Sequence, residues 1–534
     1  MSIASKLRRL RLTALCLAAA ALLTACGSAA DTGETETARD ETADWTETGE
    51  VVADAYVADS VFSLCYDPDG SMNPVAAKSS TNMLFWSLMY DSVFTVDENF
   101  AVSSEIVTNI ETSDYIWWMF TVDTSIEFND GSTLTAQDVA YSIQRAMQSS
   151  YYKNRLSVIY GISAMSTDTF AITTAYADSQ LTSVLNIPII KYGSYNDAVP
   201  AGTGPYMLNE DGDALVLFEG NRHADEMPLD TIYLRSFDNT SDKISAFEDS
   251  VIDIVTNDPT GIYNLGYGSA NEVRYYTTTN MHYLGFNMQS LFFSNYARRY
   301  AMLFAVDRKT FAEEEMSGCA VASALPLLPT SELYDSEYAA KFSYDPDKML
   351  ELMTAAGVGD LDSDGEFEYD YAGIVVELNL KFIVNNDSAV KVREARKITE
   401  ELNAAGITTS LYELGYDDYV NCLLEGDYDF YYGEIRLTPD WSLLSLLDSE
   451  QDVSYSHVVD SQYAELIKAY LGADDASRYE LYQEALRYVM ENGAIVPICF
   501  ERRQILTHRG VVSGINATQY DLFNRFQDWT ITFD

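Results

Sequence analysis

The sequence predicts an α/β protein with more than one domain, and three observations carry that expectation. Strand-period and helix-period segments alternate: Ile374, Val376, Leu378, Leu380, Phe382 and Val384 recur every second residue, and Val392, Ala395, Ile398, Leu402 and Ala405 then fall at helical spacing. Start and stop residues bracket the helices, as where Asp345-Pro346 opens a run burying Met349, Leu350, Met353 and Ala356 that Gly357 closes. About 480 residues beyond the N-terminal leader and tether, with 47% hydrophobic content in the whole chain, are enough to build two or more cores.

Taken in order, the first element is a leader. Lys6, Arg8, Arg9 and Arg11 precede an apolar run over 12–23 that is too short to span a bilayer comfortably, so 1–25 is expected to be a signal peptide. Leu23-Thr24-Ala25-Cys26 resembles a bacterial lipobox, which implies cleavage before Cys26 and a lipid on its thiol. Residues 26–52 are rich in Thr, Glu, Asp, Ala and Gly. They cannot bury enough apolar surface to order, and their acids repel one another, so the segment is expected to be an extended tether.

Next comes residues 118–147. Trp118, Phe120 and Val122 alternate with Met119, Thr121 and Asp123, Asn129-Asp130-Gly131 supply a turn, and Thr135 caps a helix whose third position is Asp138. Val139, Ile143, Ala146 and Met147 share that helix's inner face. Further on, Pro200-Ala201-Gly202-Thr203-Gly204-Pro205-Tyr206 is a turn. It lacks the Lys-Ser/Thr of a phosphate loop, and Pro205 blocks the helix start such a loop needs. Strands are expected over 231–234 and 251–254, with a helix over 241–249 between them. Tyr283 to Asn287 precede a helix carrying Ala297, Tyr300, Ala301, Phe304 and Ala305. Gly406 ends the helix after residue 392, and 407–414 completes a βαβ unit. Helices over 463–471 and 479–490 and an apolar strand over 494–500 close the chain.

The 118–147 segment resembles the strand-turn-helix signature of the family 5 extracellular solute-binding proteins through Phe128, Asp130, Gly131, Leu134, Thr135, Asp138 and Val139. Ser71-Met72-Asn73-Pro74, the segment 84–94, the 200–206 turn and Asp307-Arg308 follow the same pattern in the family's order. Ser250 stands where the family usually has Gly. The resemblance implies a bilobal, periplasmic-binding-protein-like α/β fold of mixed sheets flanked by helices, with an inserted domain and a hinge between lobes. Lobe I would comprise 53–80, 200–279 and 500–534, domain II 81–199 and lobe III 280–499.

It also implies a receptor that closes on a peptide and serves an ABC importer's transmembrane subunits. The protein would be a monomer held through Cys26 at the cell surface, on the outer face of the cytoplasmic membrane or facing the periplasm. The alternatives are the same fold around a nickel chelate, sugar or amino acid derivative, or a sensor without transport. By resemblance, Asp440 occupies the position of the family's amine-binding carboxylate, against the alternative that it caps a helix over 441–447. Arg436 clamps a ligand carboxylate or pairs internally with Glu434 or Asp440. Trp441, Trp118, Trp117 and Trp86 are candidate pocket walls.

Other chemistries find little support. With 33 basic and 82 acidic side chains the chain carries −49, which excludes nucleic-acid binding. No G-x-S-x-G or H-E-x-x-H occurs, so no catalytic residue and no cofactor is expected. His223, His282, His457 and His508 are too far apart in sequence for a preformed metal cage. Asp360, Asp362, Asp364 and Gly365 begin a calcium-loop pattern, but its twelfth position is Tyr371, and a solvated acidic turn is expected. Cys65, Cys319, Cys422 and Cys499 lie either in two bridges or as free thiols.

Overall fold

Residues 60–258, 267–268, 271–447, 454–458 and 460–533 are described by the computed structural model; Cys26, the leader and the tether lie outside them. Three larger sheets organise these residues. The first places Ser63–Cys65 parallel to Thr231–Arg235, followed by Ala214–Leu217 and Tyr206–Leu208 in antiparallel order. The second is antiparallel, in the order Val107–Thr112, Trp117–Val122, Thr169–Thr174, Ile159–Ala164. The third has seven strands: Ile254–Asn257, Ile495–Thr507, Glu272–Phe286, Phe430–Arg436, Leu380–Asn385 and Thr409–Leu414 in order, with Ala320–Ala322 paired to Ile495–Thr507.

Local sequence chemistry accounts for most of these boundaries. The Asp138 carboxylate accepts the Thr135 amide at 2.8 Å, starting the helix Ala136–Ala146, and its other oxygen accepts the Tyr192 amide at 2.8 Å, tying that helix to the returning chain. Gly131 turns with φ +79°, as the turn chemistry requires. Gly202 and Gly204 serve close packing: a Cβ on either would stand 2.2 Å from the Met89 oxygen or 2.4 Å from its carbonyl carbon. Asp345 caps Pro346–Ala355 by accepting the Lys348 amide at 2.9 Å. The parallel pair Leu380–Asn385 and Thr409–Leu414 is bridged by the helix Ala389–Ala404.

The alternating run over 374–384 is two strands rather than one. Ile374–Glu377 joins a small sheet with Glu368–Tyr371, and the chain changes partners before Leu380–Asn385 enters the large sheet. Ile374 and Val375 are exposed there, so alternation continued without a buried face to report. The strand expected over 251–254 begins at Ile254. Ser250 takes the left-handed φ of +63°, and the amides of Val251 and Ile252 fold back onto the Ala246 carbonyl to close the preceding helix Thr240–Glu248. The strand expected over 494–500 runs on to Thr507 because three other strands pair along it.

Among the described residues two large hydrophobic cores result, beside a small cluster of Ala246, Phe247, Ile252, Val255 and Leu506. One joins Phe62, Leu64, Phe120, Ile143, Ile187 and Tyr206 with C-terminal residues such as Phe523 and Trp529. The other is built from residues between Met281 and Phe500. The long strands Glu272–Phe286 and Ile495–Thr507 pass from one to the other: Ile498 and Phe500 are buried in the second core, whereas Ile505 is buried in the first. Their pairing shifts register between Thr277 and Met281, which marks the crossing. Among the described residues no helix is long and apolar enough to cross a membrane.

Candidate ligand-binding site

Where the two cores meet, cationic and phenolic side chains converge from five separate segments. The turn after Ala136–Ala146 supplies Tyr151 and Arg155, and the Tyr152 hydroxyl anchors it by donating to the Pro74 carbonyl at 3.0 Å. The end of Phe430–Arg436 supplies Arg436. The paired long strands place Tyr276 opposite Arg503. The C-terminal segment supplies Tyr520, held because Gln519 accepts the Thr279 amide at 2.9 Å. The guanidinium carbons of Arg155 and Arg436 lie over the Tyr520 ring, 5.9 and 5.8 Å from its centroid. Arg436 also donates to the Gln519 carbonyl at 3.4 Å.

Tyr151 is half exposed and Arg436 exposed, so solvent reaches this cluster of cations and phenols. Electrostatics within it run against the charge of the chain. Burial alone would raise the Tyr151 phenol, but Arg436, Arg155 and Arg503 outweigh it and hold the phenol below its ordinary value. Arg503 faces Asp258 at 3.6 Å. Among the described residues, neither Arg155 nor Arg436 has a carboxylate within ion-pair distance, and the Arg155 Nε makes no hydrogen bond. The nearby Asp521 is turned away, onto the Ser87 hydroxyl and the Phe523 amide.

Asp440 lies four residues beyond Arg436, in a second charged pocket of opposite sign. One carboxylate oxygen accepts the Thr438 hydroxyl at 2.5 Å and the Ser442 amide at 3.0 Å; the other has no hydrogen bond among the described residues. Asp178, from the segment after Thr169–Thr174, is its neighbour and uses one oxygen to accept the Gln180 amide at 2.9 Å. Burial pushes both carboxyls up, and the Asp440 charge adds to the effect on Asp178, which reaches about 7.

Aromatic side chains enclose this acid pair. The Tyr470 hydroxyl donates to the Asp440 carbonyl at 3.0 Å, and the Tyr463 hydroxyl accepts the Leu443 amide at 2.9 Å. The two cores touch here: the Ser179 amide donates to the Leu471 carbonyl at 2.5 Å, and Phe100 packs edge-on against Trp441, with ring centroids 5.3 Å apart. Trp441 is buried with φ +57°, a conformation costing a bulky residue roughly 1–3 kcal/mol and found where surrounding structure imposes it.

Several expectations change in detail. Asp440 caps no helix: the run expected over 441–447 is helical only at Leu444–Leu447, and the Asp440 oxygen instead closes a turn onto Ser442. Arg436 pairs internally with neither Glu434 nor Asp440, because Glu434 is held by Lys391 at 3.0 Å and by Asn280. Trp118 is not a pocket wall. It is 5% exposed, stacked 5.9 Å from Phe120, with its indole N–H given to the Tyr115 carbonyl, which leaves no ring face for a ligand. Trp441 is likewise packed between Phe100 and Phe500. The four cysteines are free thiols.

Two further clusters have metal-like donor sets. His282, Glu434 and Glu501 converge, but His282 already pairs with Glu501 at 2.9 Å, and Asn280 and Lys391 satisfy the remaining oxygens. The network is internally complete without a metal. Asp360 and Asp362 meet Glu368, the ninth position of the loop, whose carboxylate accepts the Leu361 amide at 2.8 Å. Tyr151, Arg155, Asp178, Arg503 and Tyr520 escaped sequence reasoning. Their only signal was the scarcity of basic residues, which makes an arginine outside any amphipathic helix worth tracing.

The model for "Bacterial extracellular solute-binding proteins, family 5 Middle" matches residues 102–452. The chain belongs to this family. It is 21% identical over 435 residues to the oligopeptide-binding protein AppA of Bacillus subtilis, covering 76% of each chain. Its fold is similar to that of a putative peptide binding protein AppA from Clostridium difficile, with a TM-score of 0.69 at 16% identity over 89% of this chain and 100% of that one. NikZ from Campylobacter jejuni, solved with Ni(L-His), aligns with a TM-score of 0.63 at 16% identity over 88% of this chain and 99% of that one. The family 5 protein is thus an extracellular solute-binding protein with a bilobal α/β fold, and a non-enzymatic role accords with its relatives.

Proposed function

We propose that this family 5 protein captures a peptide between its two cores by closure of the hinge formed where the two long strands cross. It then delivers the peptide to the transmembrane subunits of an ABC importer, while a lipid on Cys26 and the acidic tether hold it, as a monomer, at the outer face of the cytoplasmic membrane or facing the periplasm. The observation that carries this reading is the half-satisfied Asp440 carboxylate, enclosed by aromatics beside a second acid, with no cation paired to either among the described residues. A peptide α-ammonium offers the missing charge and donors, and hydrogen bonds of that kind are roughly twice as strong as neutral ones. Similarity to an oligopeptide-binding protein supports the same assignment.

Thermal unfolding of the purified protein with and without a mixed peptide pool tests it. A ligand at a hundred times its Kd adds about 2.7 kcal/mol, a readily measured rise in Tm. The rise is expected for wild type and lost in Asp440→Asn. Absence of any peptide effect on wild type removes the receptor reading, and an undiminished effect in Asp440→Asn removes the amine site.

A further inference from the structure

We propose that a calcium ion binds between the acidic loop after the helix Pro346–Ala355 and the small sheet beneath it, held by the carboxylates of Asp360, Asp362 and Glu368 with Glu377 beside them. The site shares no residue with the candidate ligand pockets and does not depend on what they take. Exposed acids are ordinary on a chain with 82 acidic and 33 basic side chains. What sets this loop apart is the sheet it covers, built from Val358–Gly359, Glu368–Tyr371 and Ile374–Glu377.

Glu368 is 4% exposed, although it stands on the sheet face turned away from Tyr369, whose ring packs into the second core 5.2 Å from that of Phe292. The loop supplies the cover, and one Glu368 oxygen accepts the Leu361 amide at 2.8 Å. The other oxygen has no hydrogen bond, and among the described residues no Lys, Arg or His lies within ion-pair distance of this buried carboxylate. It is aimed into the loop: Glu368, Asp360 and Asp362 each bring one carboxylate oxygen within 4.8 Å of the other two. Independently, Glu377 lies directly opposite Glu368 across the antiparallel pair, so the two side chains share a face, where like charges repel. Glu377 likewise has no ion-pair partner among the described residues. Gly359 completes the row on the other side and has no side chain to part Glu368 from Asp360. Four acids thus converge with no cationic side chain among them, and a bound cation offsets their repulsion.

The donor set names the ion. Carboxylate oxygens without His or Cys suit calcium or magnesium rather than a transition metal. Calcium accepts many oxygens in adjustable geometry, as an exposed loop offers, whereas magnesium demands a near-ideal octahedron. Tyr371 stands where a helix-flanked calcium loop has its closing Glu, and here Glu368 closes the site from the sheet instead. The ion clamps the loop onto one edge of the second core, so it acts on local stability and not on the ligand pockets.

Calorimetric titration of calcium chloride into the full, EDTA-treated protein tests this, in about 0.15 M KCl to screen diffuse attraction to surface acids. Wild type, Asp362→Asn, Glu368→Gln and the control Asp418→Asn are compared; Asp418 is an exposed acid in the first turn of Tyr416–Glu425. Asparagine and glutamine keep the oxygens that accept the Asp364 and Leu361 amides, and an unchanged calcium-free Tm verifies that each variant is folded. Should Glu368→Gln fail to fold, Asp362→Asn, in the exposed loop, decides. One calcium per chain is expected, with a Kd on the order of 0.1–1 mM. Both site variants should bind roughly tenfold more weakly, or worse, and Asp418→Asn as wild type does. Calcium should raise the Tm of wild type, and magnesium at the same concentration should not. Undiminished binding in Asp362→Asn and Glu368→Gln, an equal loss in Asp418→Asn, or no binding at all overturns the proposal. An equal response to magnesium overturns the choice of calcium. Peptide binding is measured separately, so the receptor reading and the calcium site stand or fall apart from each other.

Discussion

Asp178→Asn should stabilise the ligand-free protein by an amount that grows with pH. Asp178 is 3% exposed, and its carboxyl is pushed from 3.8 up to about 7 by burial first and the Asp440 charge second. Its folded value therefore lies above its unfolded one. Below pH 3.8 both states hold the proton and the residue costs nothing; between 3.8 and 7 the unfolded state ionises first, so stability falls as pH rises. Above 7 the loss is complete, and at 1.36 kcal/mol per unit the shift corresponds to about 4 kcal/mol. Asparagine keeps the oxygen that accepts the Gln180 amide and removes the charge. Urea unfolding of wild type and variant at pH 4, 6 and 8 measures the gap. It should be small at pH 4, intermediate at pH 6 and several kcal/mol at pH 8, and taking the difference cancels the titration of the other acids. A gap independent of pH would refute the claim that a buried acid pair is maintained in the empty site. Ammonium-bearing ligands should bind Asp178→Asn more weakly, so this change separates stability from function.

Two further outcomes test the surrounding architecture. Glu501→Gln should cost about 3 kcal/mol at neutral pH, because it leaves His282 without its buried partner. Burial opposes ionisation of Glu501, but His282 and Asn280 hold it down at about 2, so this stabilisation is present above pH 4.5 and fades as pH falls through about 2, as an acid-unfolding series would show. Ser250→Gly should stabilise by about 1 kcal/mol, since Ser250 sits at φ +63° where glycine bears no Cβ penalty. Chemical denaturation decides this, and a loss of stability would mean that the serine side chain contributes more than its backbone costs.

The fold was largely readable where neighbours in sequence are neighbours in space. Thr135 and Asp138 cap their own helix, Asp345 and Gly357 bound theirs, and 380–414 forms the βαβ unit its periodicity describes. Reading failed where pairing partners, not periodicity, set the boundary. The run over 374–384 divides between two sheets, and Ile495–Thr507 extends as far as its neighbours reach. At the site, resemblance points to Asp440 and guanidinium chemistry to Arg436, but neither shows the surroundings of these residues. The Trp118 ring lies inside a core, because an indole is as useful for packing as for lining a pocket.

By itself the amino-acid order determined the family, the α/β class, the caps and turns, and the strong negative charge, since each depends on local spacing or on composition. Only the tertiary structure set Asp178 beside Asp440 and brought Arg155 over the same ring as Arg436, because those pairs are separated by hundreds of residues and meet only after two cores have formed and the long strands have joined them. Charge in a folded chain acts through distance and burial, and neither is encoded in any single stretch of sequence.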